Sequence, residues 1–196
     1  AHERVCNDFS LEGKGKTAII TGSNMSGKST FERTISVNIV LALAGAPVCA
    51  TQMELSEIYV FTSMRTQDSL AENVSGFYAE LKRLRQLLDQ VEADLPTFYV
   101  LDEVLKGTNS QDRQNGAKAI IHKLATMPAF GLISTHDLEL SELETQFPDR
   151  VQNFSFNSQI IDGKLLFDYK ISQQVCHSFS ASKLMETIGI QMEENI

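Results

Sequence analysis

The sequence predicts an α/β domain built on a mainly parallel sheet flanked by helices, with an antiparallel hairpin near its end. Three observations predict it. Short apolar runs alternate with longer segments of helical spacing, the order that packs into a parallel sheet. A glycine-bearing loop, from Gly22 to Ser29, joins one such run to one such segment. Asp162-Gly163 separates two β-rich runs, a short hairpin signal.

The elements follow in order. Arg4 to Leu11, with Val5, Phe9 and Leu11, is expected to be an edge strand or a lead-in. Glu12 to Lys16 is a turn, and Thr17 to Thr21 is the first central strand. Phe31 to Leu43 has helical spacing and ends near Gly45, which can cap it, and Pro47, which forbids continuation. Ile58 to Phe61 is β-rich. Thr66 to Gly76 is polar and reads as a loop. Phe77, Leu81, Leu84, Leu87, Leu88 and Val91 then recur at threes and fours, an amphipathic helix ending before Pro96. Phe98 to Leu101 is a buried strand that ends in Asp102-Glu103. Lys106 to Asp112 is a loop, with Asp112 as the expected cap of a helix through Leu124. Gly131 to His136 is another short strand. Val151 to Ile161 and Leu165 to Ile171 form the hairpin, and the tail from Ser180 to Ile190 has a helical pattern.

Length and composition narrow the possibilities. The 196 residues fit one domain, residues 1–196, and 42% hydrophobic content suits a buried core rather than disorder. No apolar run approaches the roughly 20 residues of a membrane span, so no membrane contact is expected. Ala1-His2-Glu3-Arg4 lacks a start methionine and the features of a signal peptide, which predicts a piece of a larger protein. Cys6, Cys49 and Cys176 are odd in number and widely spaced. They predict no disulfide framework but small buried side chains in a reducing, cytoplasmic setting. A net charge of −8 does not suit a domain that tracks a nucleic-acid backbone by itself. Lys82, Arg83 and Arg85 lie among Glu80 and Asp89, the pattern of a solvated helix face.

The chemistry concentrates at strand ends. From Gly22 the chain reads G-x-x-x-x-G-K-S, a phosphate-cradling pattern when a strand precedes it and a helix follows. Gly22 and Gly27 permit a tight turn around an anion. The amides of Ser23, Asn24, Met25, Ser26 and Thr30, with the helix N-terminus, can face phosphate oxygens. Lys28 adds a cation, and the Ser29 hydroxyl can ligate Mg²⁺. Ligands bind at the carboxyl ends of strands in such sheets. Asp102 at a second strand end is placed to hold the Mg²⁺ shell, and Glu103 to act as general base on a water. The two strand ends are expected to meet across neighbouring strands. His136, at a third strand end, can reach a γ-phosphate or its attacking water, or it is structural.

Thr21-Gly22-Ser23-Asn24-Met25-Ser26-Gly27-Lys28-Ser29-Thr30 resembles TGPNMGGKST of the MutS family of DNA mismatch repair proteins, with Ser23 and Ser26 as departures. Asp102-Glu103 followed by Gly107-Thr108-Asn109-Ser110-Gln111-Asp112 is similar to that family's DE-x-x-x-GTS-x-x-D block. Ser134-Thr135-His136 through Glu139-Leu140 is similar to its ATH-x-x-EL, and Tyr169-Lys170-Ile171 with Ser178-Phe179 to its last short pattern. The resemblance spans about Val5 to Ile190. It implies a C-terminal ATPase domain of the P-loop NTPase class, ABC-like in type, with ATP and Mg²⁺ as cofactors. It also implies a homodimer with composite ATP sites, and DNA contacts made by domains absent from this chain. Asn24 takes the role of orienting the terminal phosphate, and Tyr169 that of stacking on adenine, although a hairpin core position suits Tyr169 equally. Ser75 is implied as a hydroxyl offered to the partner's nucleotide; a simple N-cap is the other reading. Ser75 is followed by Gly76 where the family has Ser-Thr. The aromatic residue that the family places upstream of the loop, under adenine, is not apparent; Arg4 or Val5 occupies that region. Ser23, Ser26 and Leu105-Lys106 are more similar to a MutS-related branch. Glu32 stands where an apolar residue is expected, so it is predicted to be exposed or paired, since burying it unpaired would cost several kcal/mol.

Two other functions fit less of the chain. An ABC-type transport or structural-maintenance ATPase would carry Leu-Ser-Gly-Gly-Gln before the carboxylate strand, and this sequence has none. A nucleotide-gated interaction module without turnover does not need Lys28, Asp102 and Glu103 together.

Overall fold

The computed structural model describes residues 4–13, 15–23, 25–64, 73–161 and 164–176. Asn24, the Asp162-Gly163 turn, most of the polar loop and the tail from Ser180 to Ile190 lie outside the described residues.

The sheet has six strands: β1 (Thr17–Gly22), β2 (Tyr59–Ser63), β3 (Thr97–Asp102), β4 (Phe130–Thr135), β5 (Val151–Ile161) and β6 (Lys164–Ser172). Their order is β2-β3-β4-β1-β5-β6. Every pairing is parallel except β5 with β6, which is the expected hairpin. The helices are α1 (Lys28–Leu43), α2 (Asn73–Glu92), α3 (Ser110–Ala125) and a single turn, α4 (Leu143–Gln146), after a 3-10 helix at Leu138–Glu142.

Strand alternation sorts the core into two layers. Ala18, Ile20, Phe98, Val100 and Leu132 face the side that α1 covers with Phe31 and Ile39. Ile19, Tyr99, Leu101 and Ile133 face the other side, packed by Leu84, Leu87 and Val91 of α2 and by Ala117, Ile121 and Leu124 of α3. β1 is buried along its whole length between β4 and β5. That explains why its run is continuously apolar rather than alternating.

Several expectations need correction. Residues 4–11 form no strand. They lie along β6, where the Asn7 side chain donates to the Tyr169 carbonyl and accepts from the Ile171 amide, at 2.9 Å each. Phe9 packs edge-on to Phe31 and also against Phe154. Side-chain bonds thus replace a backbone ladder there. α1 begins at Lys28, three residues before Phe31, because Gly27 at φ 105° turns the chain straight into the helix. Ser75 and Gly76 belong to the first turn of α2 rather than to a loop. Asn109, not Asp112, caps α3: its side chain accepts from the Asp112 amide at 2.9 Å. β3 and β1 are not neighbours; β4 lies between them. Cys176 is buried as expected, but Cys6 and Cys49 are exposed, and all three are free thiols.

Other expectations hold. α1 stops at Ala44 with Gly45 in the left-handed region, φ 71°. Arg85 pairs with Asp89 and Glu92 on the solvent side of α2. Lys82 lies over the Tyr78 ring. No helix among the described residues is long and apolar enough to cross a membrane.

One buried polar pair joins β1 to β3 across the intervening β4: the Tyr99 hydroxyl and Thr17 Oγ1, 2.5 Å apart. Burial pushes the Tyr99 phenol well above its usual range, with the Thr17 hydrogen bond opposing. Tyr99→Phe leaves Thr17 without this partner and should cost about 1 to 3 kcal/mol. The double variant Thr17→Val/Tyr99→Phe should cost less than the sum of the two singles. Urea midpoints at unchanged slope measure both.

Candidate active site

The carboxyl ends of β1, β4 and β3 lie side by side. Ser134 of β4 is in register with Ile20 of β1 on one side and with Asp102 of β3 on the other. The loop after β1, the residues after β3 and His136 after β4 therefore open onto one edge of the sheet.

The Gly22–Ser29 loop follows from its glycines. Gly22 has φ 151°, and a Cβ there would lie 2.7 Å from the Phe156 carbonyl oxygen. Gly27 has φ 105°, and its Cβ would lie 3.2 Å from the Tyr169 ring. Met25, between them, adopts φ 72° and is 83% exposed. Gly27 has no side chain with which to cap α1, so no side-chain cap covers the first amides of that helix. Ser23 Oγ and Ser26 Oγ are buried without a hydrogen-bond partner among the described residues. Orphaned hydroxyls beside an uncapped helix N-terminus are groups that an anion can satisfy.

Lys28 is buried, and its Nζ donates to the Gly22 and Ser23 carbonyls at 2.8 and 2.9 Å. Desolvation lowers its ammonium pKa, while Glu103, Asp102 and Glu32 oppose the shift. Ser29 Oγ donates to Asp102 Oδ2 at 3.0 Å. Ser134 Oγ donates to Asp102 Oδ1 at 2.7 Å. Asp102 is thus gripped from both sides, and Ser29 with Asp102 presents adjacent hard oxygens that suit Mg²⁺. Among the described residues no group of three or more His, Cys, Asp or Glu side chains forms a metal cage.

Glu103 lies just past β3 at φ 51°, and Leu105 follows at φ 61°, two non-glycine residues in the left-handed region. The Glu103 amide still donates to the Ser134 carbonyl at 3.0 Å, anchoring the turn. Its carboxylate pairs with Lys106 and lies 3.6 Å from His136 Nδ1, beyond hydrogen-bond reach. His136 Nδ1 is itself buried and unpartnered. Burial alone would raise the Glu103 carboxyl, but Lys106, with His136 and Lys28 behind it, outweighs burial and holds it below the usual range.

The structure thus gathers Lys28, Ser29, Asp102, Glu103 and His136. Tyr169, at φ 55° and 45% exposed, is no hairpin core residue; its ring lies by Gly27. Thr30 is on the first turn of α1 and exposed. Ser75 is in the first turn of α2. Glu32 contradicts its expectation of exposure or pairing: it is fully buried, and among the described residues its carboxyl has one hydrogen-bond contact, with the Ser134 hydroxyl, no countercharge, and an Oε1 without a hydrogen-bond partner. Sequence reasoning missed Ser134 and Lys106. A serine closing an otherwise apolar strand, and a lysine three residues past a carboxylate, were the available signals.

Residues 18–192 match the family described as MutS domain V. The DNA mismatch repair protein MutS of Chloroflexus aurantiacus is 33% identical over 170 residues, which is 84% of this chain and 17% of that protein. The proteins of the same name from Thermotoga petrophila and Thermotoga maritima are 32% identical over 186 residues, 94% of this chain and 23% of theirs. The chain spans about a fifth of the length of these curated relatives.

A pH prediction follows from Glu103. A carboxyl whose folded value is depressed stabilises the fold above its unfolded pKa, and that stability is lost as pH falls through the folded value. Lys106→Met removes the main cause of depression. Between about pH 6 and pH 3 the variant should therefore lose less stability than the parent. Urea midpoints at the two pH values make the comparison.

Proposed function

The chain belongs to the MutS family, and on that premise we propose that it is the ATP-binding and ATP-hydrolysing domain of a MutS-type DNA mismatch repair protein, of the P-loop NTPase class. The observation that carries this reading is the meeting of Lys28, Ser29, Asp102, Glu103 and His136 at the carboxyl ends of three adjacent strands.

In this reading the loop amides and the N-terminus of α1 bind the phosphates, and Ser23 and Ser26 gain the partners they lack. Lys28 turns its charge from the loop carbonyls towards the terminal phosphates. Ser29 and Asp102 would hold Mg²⁺, which when bound neutralises charge on the transferring phosphoryl group. Glu103 accepts a proton from the attacking water, and His136 on its open side helps to orient that water. Tyr169 offers a half-exposed ring by the loop for the base. Asn24 is assigned to the terminal phosphate on the family resemblance alone. Ser75 would add a hydroxyl and a helix N-terminus to a second subunit's nucleotide, making a homodimer with shared sites. DNA would be contacted by other parts of a longer protein, in agreement with the acidic charge of this chain. The setting would be cytoplasmic.

Glu103→Gln should lower ATP turnover by about 10²- to 10⁴-fold while nucleotide still binds. Unchanged turnover removes Glu103 as the base. The parent chain should also hydrolyse ATP slowly when dilute, with activity per subunit rising as concentration drives dimer formation. Constant, high activity in a strictly monomeric sample rules out the shared site.

A further inference from the structure

Glu32 stands on α1, one turn beyond Lys28, with none of its surface exposed. Its Oε2 lies 3.2 Å from Ser134 Oγ, and its Oε1 has no hydrogen-bond partner among the described residues. The same Ser134 Oγ lies 2.7 Å from Asp102 Oδ1. A serine hydroxyl carries one proton, and an ionised carboxylate only accepts. Ser134 cannot donate fully to both acids, and the shorter contact is the one to Asp102. The Glu32 contact therefore needs a proton of its own.

We propose that Glu32 is held as a neutral carboxylic acid that donates its proton to Ser134 Oγ, and that it serves as a positioning residue for Asp102. By occupying the acceptor side of Ser134, it keeps that hydroxyl's single proton on Asp102. Ser29 holds the other Asp102 oxygen. The chain Glu32, Ser134, Asp102, Ser29 then has one proton in every contact.

The surroundings agree with a neutral acid. Lys28, one turn earlier on α1, is the cation that acts on Glu32, but its ammonium is directed at the Gly22 and Ser23 carbonyls. Asp102 on β3 and Glu103 beyond it add negative charge that disfavours a second ionised carboxyl. Ser134 on β4 is a neutral hydroxyl. Burial first, and Asp102 second, push the Glu32 carboxyl well above the usual range. This inference rests on the proposed role of Ser29 and Asp102 as cation ligands, so the test separates the two.

Infrared spectra of the parent chain at pH 7 should contain one protonated-carboxyl C=O band, sensitive to D₂O. Glu32→Gln and Glu32→Leu should each remove it. Absence of the band from the parent overturns the neutral acid. Mn²⁺ binding with ADP, followed by electron paramagnetic resonance, tests the positioning role. Glu32→Gln keeps a donor for Ser134 and should bind Mn²⁺ within about twofold of the parent, while Glu32→Leu and Ser134→Ala should each weaken it on the order of 10-fold. Parent-like affinity in Glu32→Leu overturns the positioning role. Should the leucine variant not fold, parent-like affinity in Ser134→Ala overturns it equally. A parent that binds no Mn²⁺ overturns the cation site and the positioning role together, whereas the infrared band decides the proton on Glu32 regardless.

Discussion

The grip on Asp102 is the interaction on which the rest of the site depends. Ser29 reaches it from α1 and Ser134 reaches it from β4. Three chain segments far apart in sequence are thereby tied at one carboxylate. The tie is possible only because β4 runs between β1 and β3 with all three parallel and in register. The buried Tyr99–Thr17 contact spans the same three strands farther from the site. One polar link at each end of the strands fixes their relative height, and apolar packing on both faces fixes their separation. The loop, the carboxylates and the histidine then share an edge as a consequence of sheet order.

The charges of this edge follow from the same geometry. Glu32, Asp102 and Glu103 converge on a region where an anionic ligand is proposed, and Lys28 and Lys106 are the cations among them. Left ionised and unbalanced, three carboxylates would oppose a triphosphate. Each acid is restrained differently. Asp102 receives two hydroxyl protons. Glu103 is paired with Lys106. Glu32, with no cation directed at it, is driven towards its neutral form by burial. A divalent cation beside Asp102 would complete the balance, which gives the proposed Mg²⁺ an electrostatic purpose at this edge beyond its role in phosphoryl transfer.

Much of this was legible in the sequence, for identifiable reasons. The glycine loop, the strand-ending Asp102-Glu103 and the Asp-Gly hairpin are local signals whose chemistry lies within a few residues. They led to the right elements and to most of the gathered side chains. The misses are long-range. Nothing local says that β4 separates β1 from β3, so Ser134 looked like the end of a strand rather than the bridge to Asp102. Asn109 and Asp112 are both good caps in isolation, and only the folded chain shows which one accepts. Residues 4–11 carry strand-like apolar spacing, yet they are held by the Asn7 side chain on the β6 backbone and by Phe9 against Phe31 and Phe154. The expectation for Glu32 went wrong because it treated burial as requiring a countercharge. A buried acid can instead keep its proton.

Glu103 makes the cost of this arrangement visible. A general base works best when its affinity for a proton is matched to the step, and ion pairing with Lys106 lowers that affinity. The residue also occupies a left-handed conformation, as does Leu105 two positions later. The turn that holds Glu103 and Lys106 together is therefore mildly strained. Strain of this kind favours any rearrangement that relaxes it, and in the proposed reaction a γ-phosphate at this edge would compete with Glu103 for the Lys106 ammonium. In the proposed reaction the resting pair thus describes a base held in reserve. His136 Nδ1 lies 3.6 Å from Glu103 and has no hydrogen-bond partner among the described residues, so in the proposed reaction it would stay beside the base once Lys106 left it. The slow turnover proposed for a lone subunit would then have two sources, the Ser75 that only a second subunit would supply and a base still bound to its own chain.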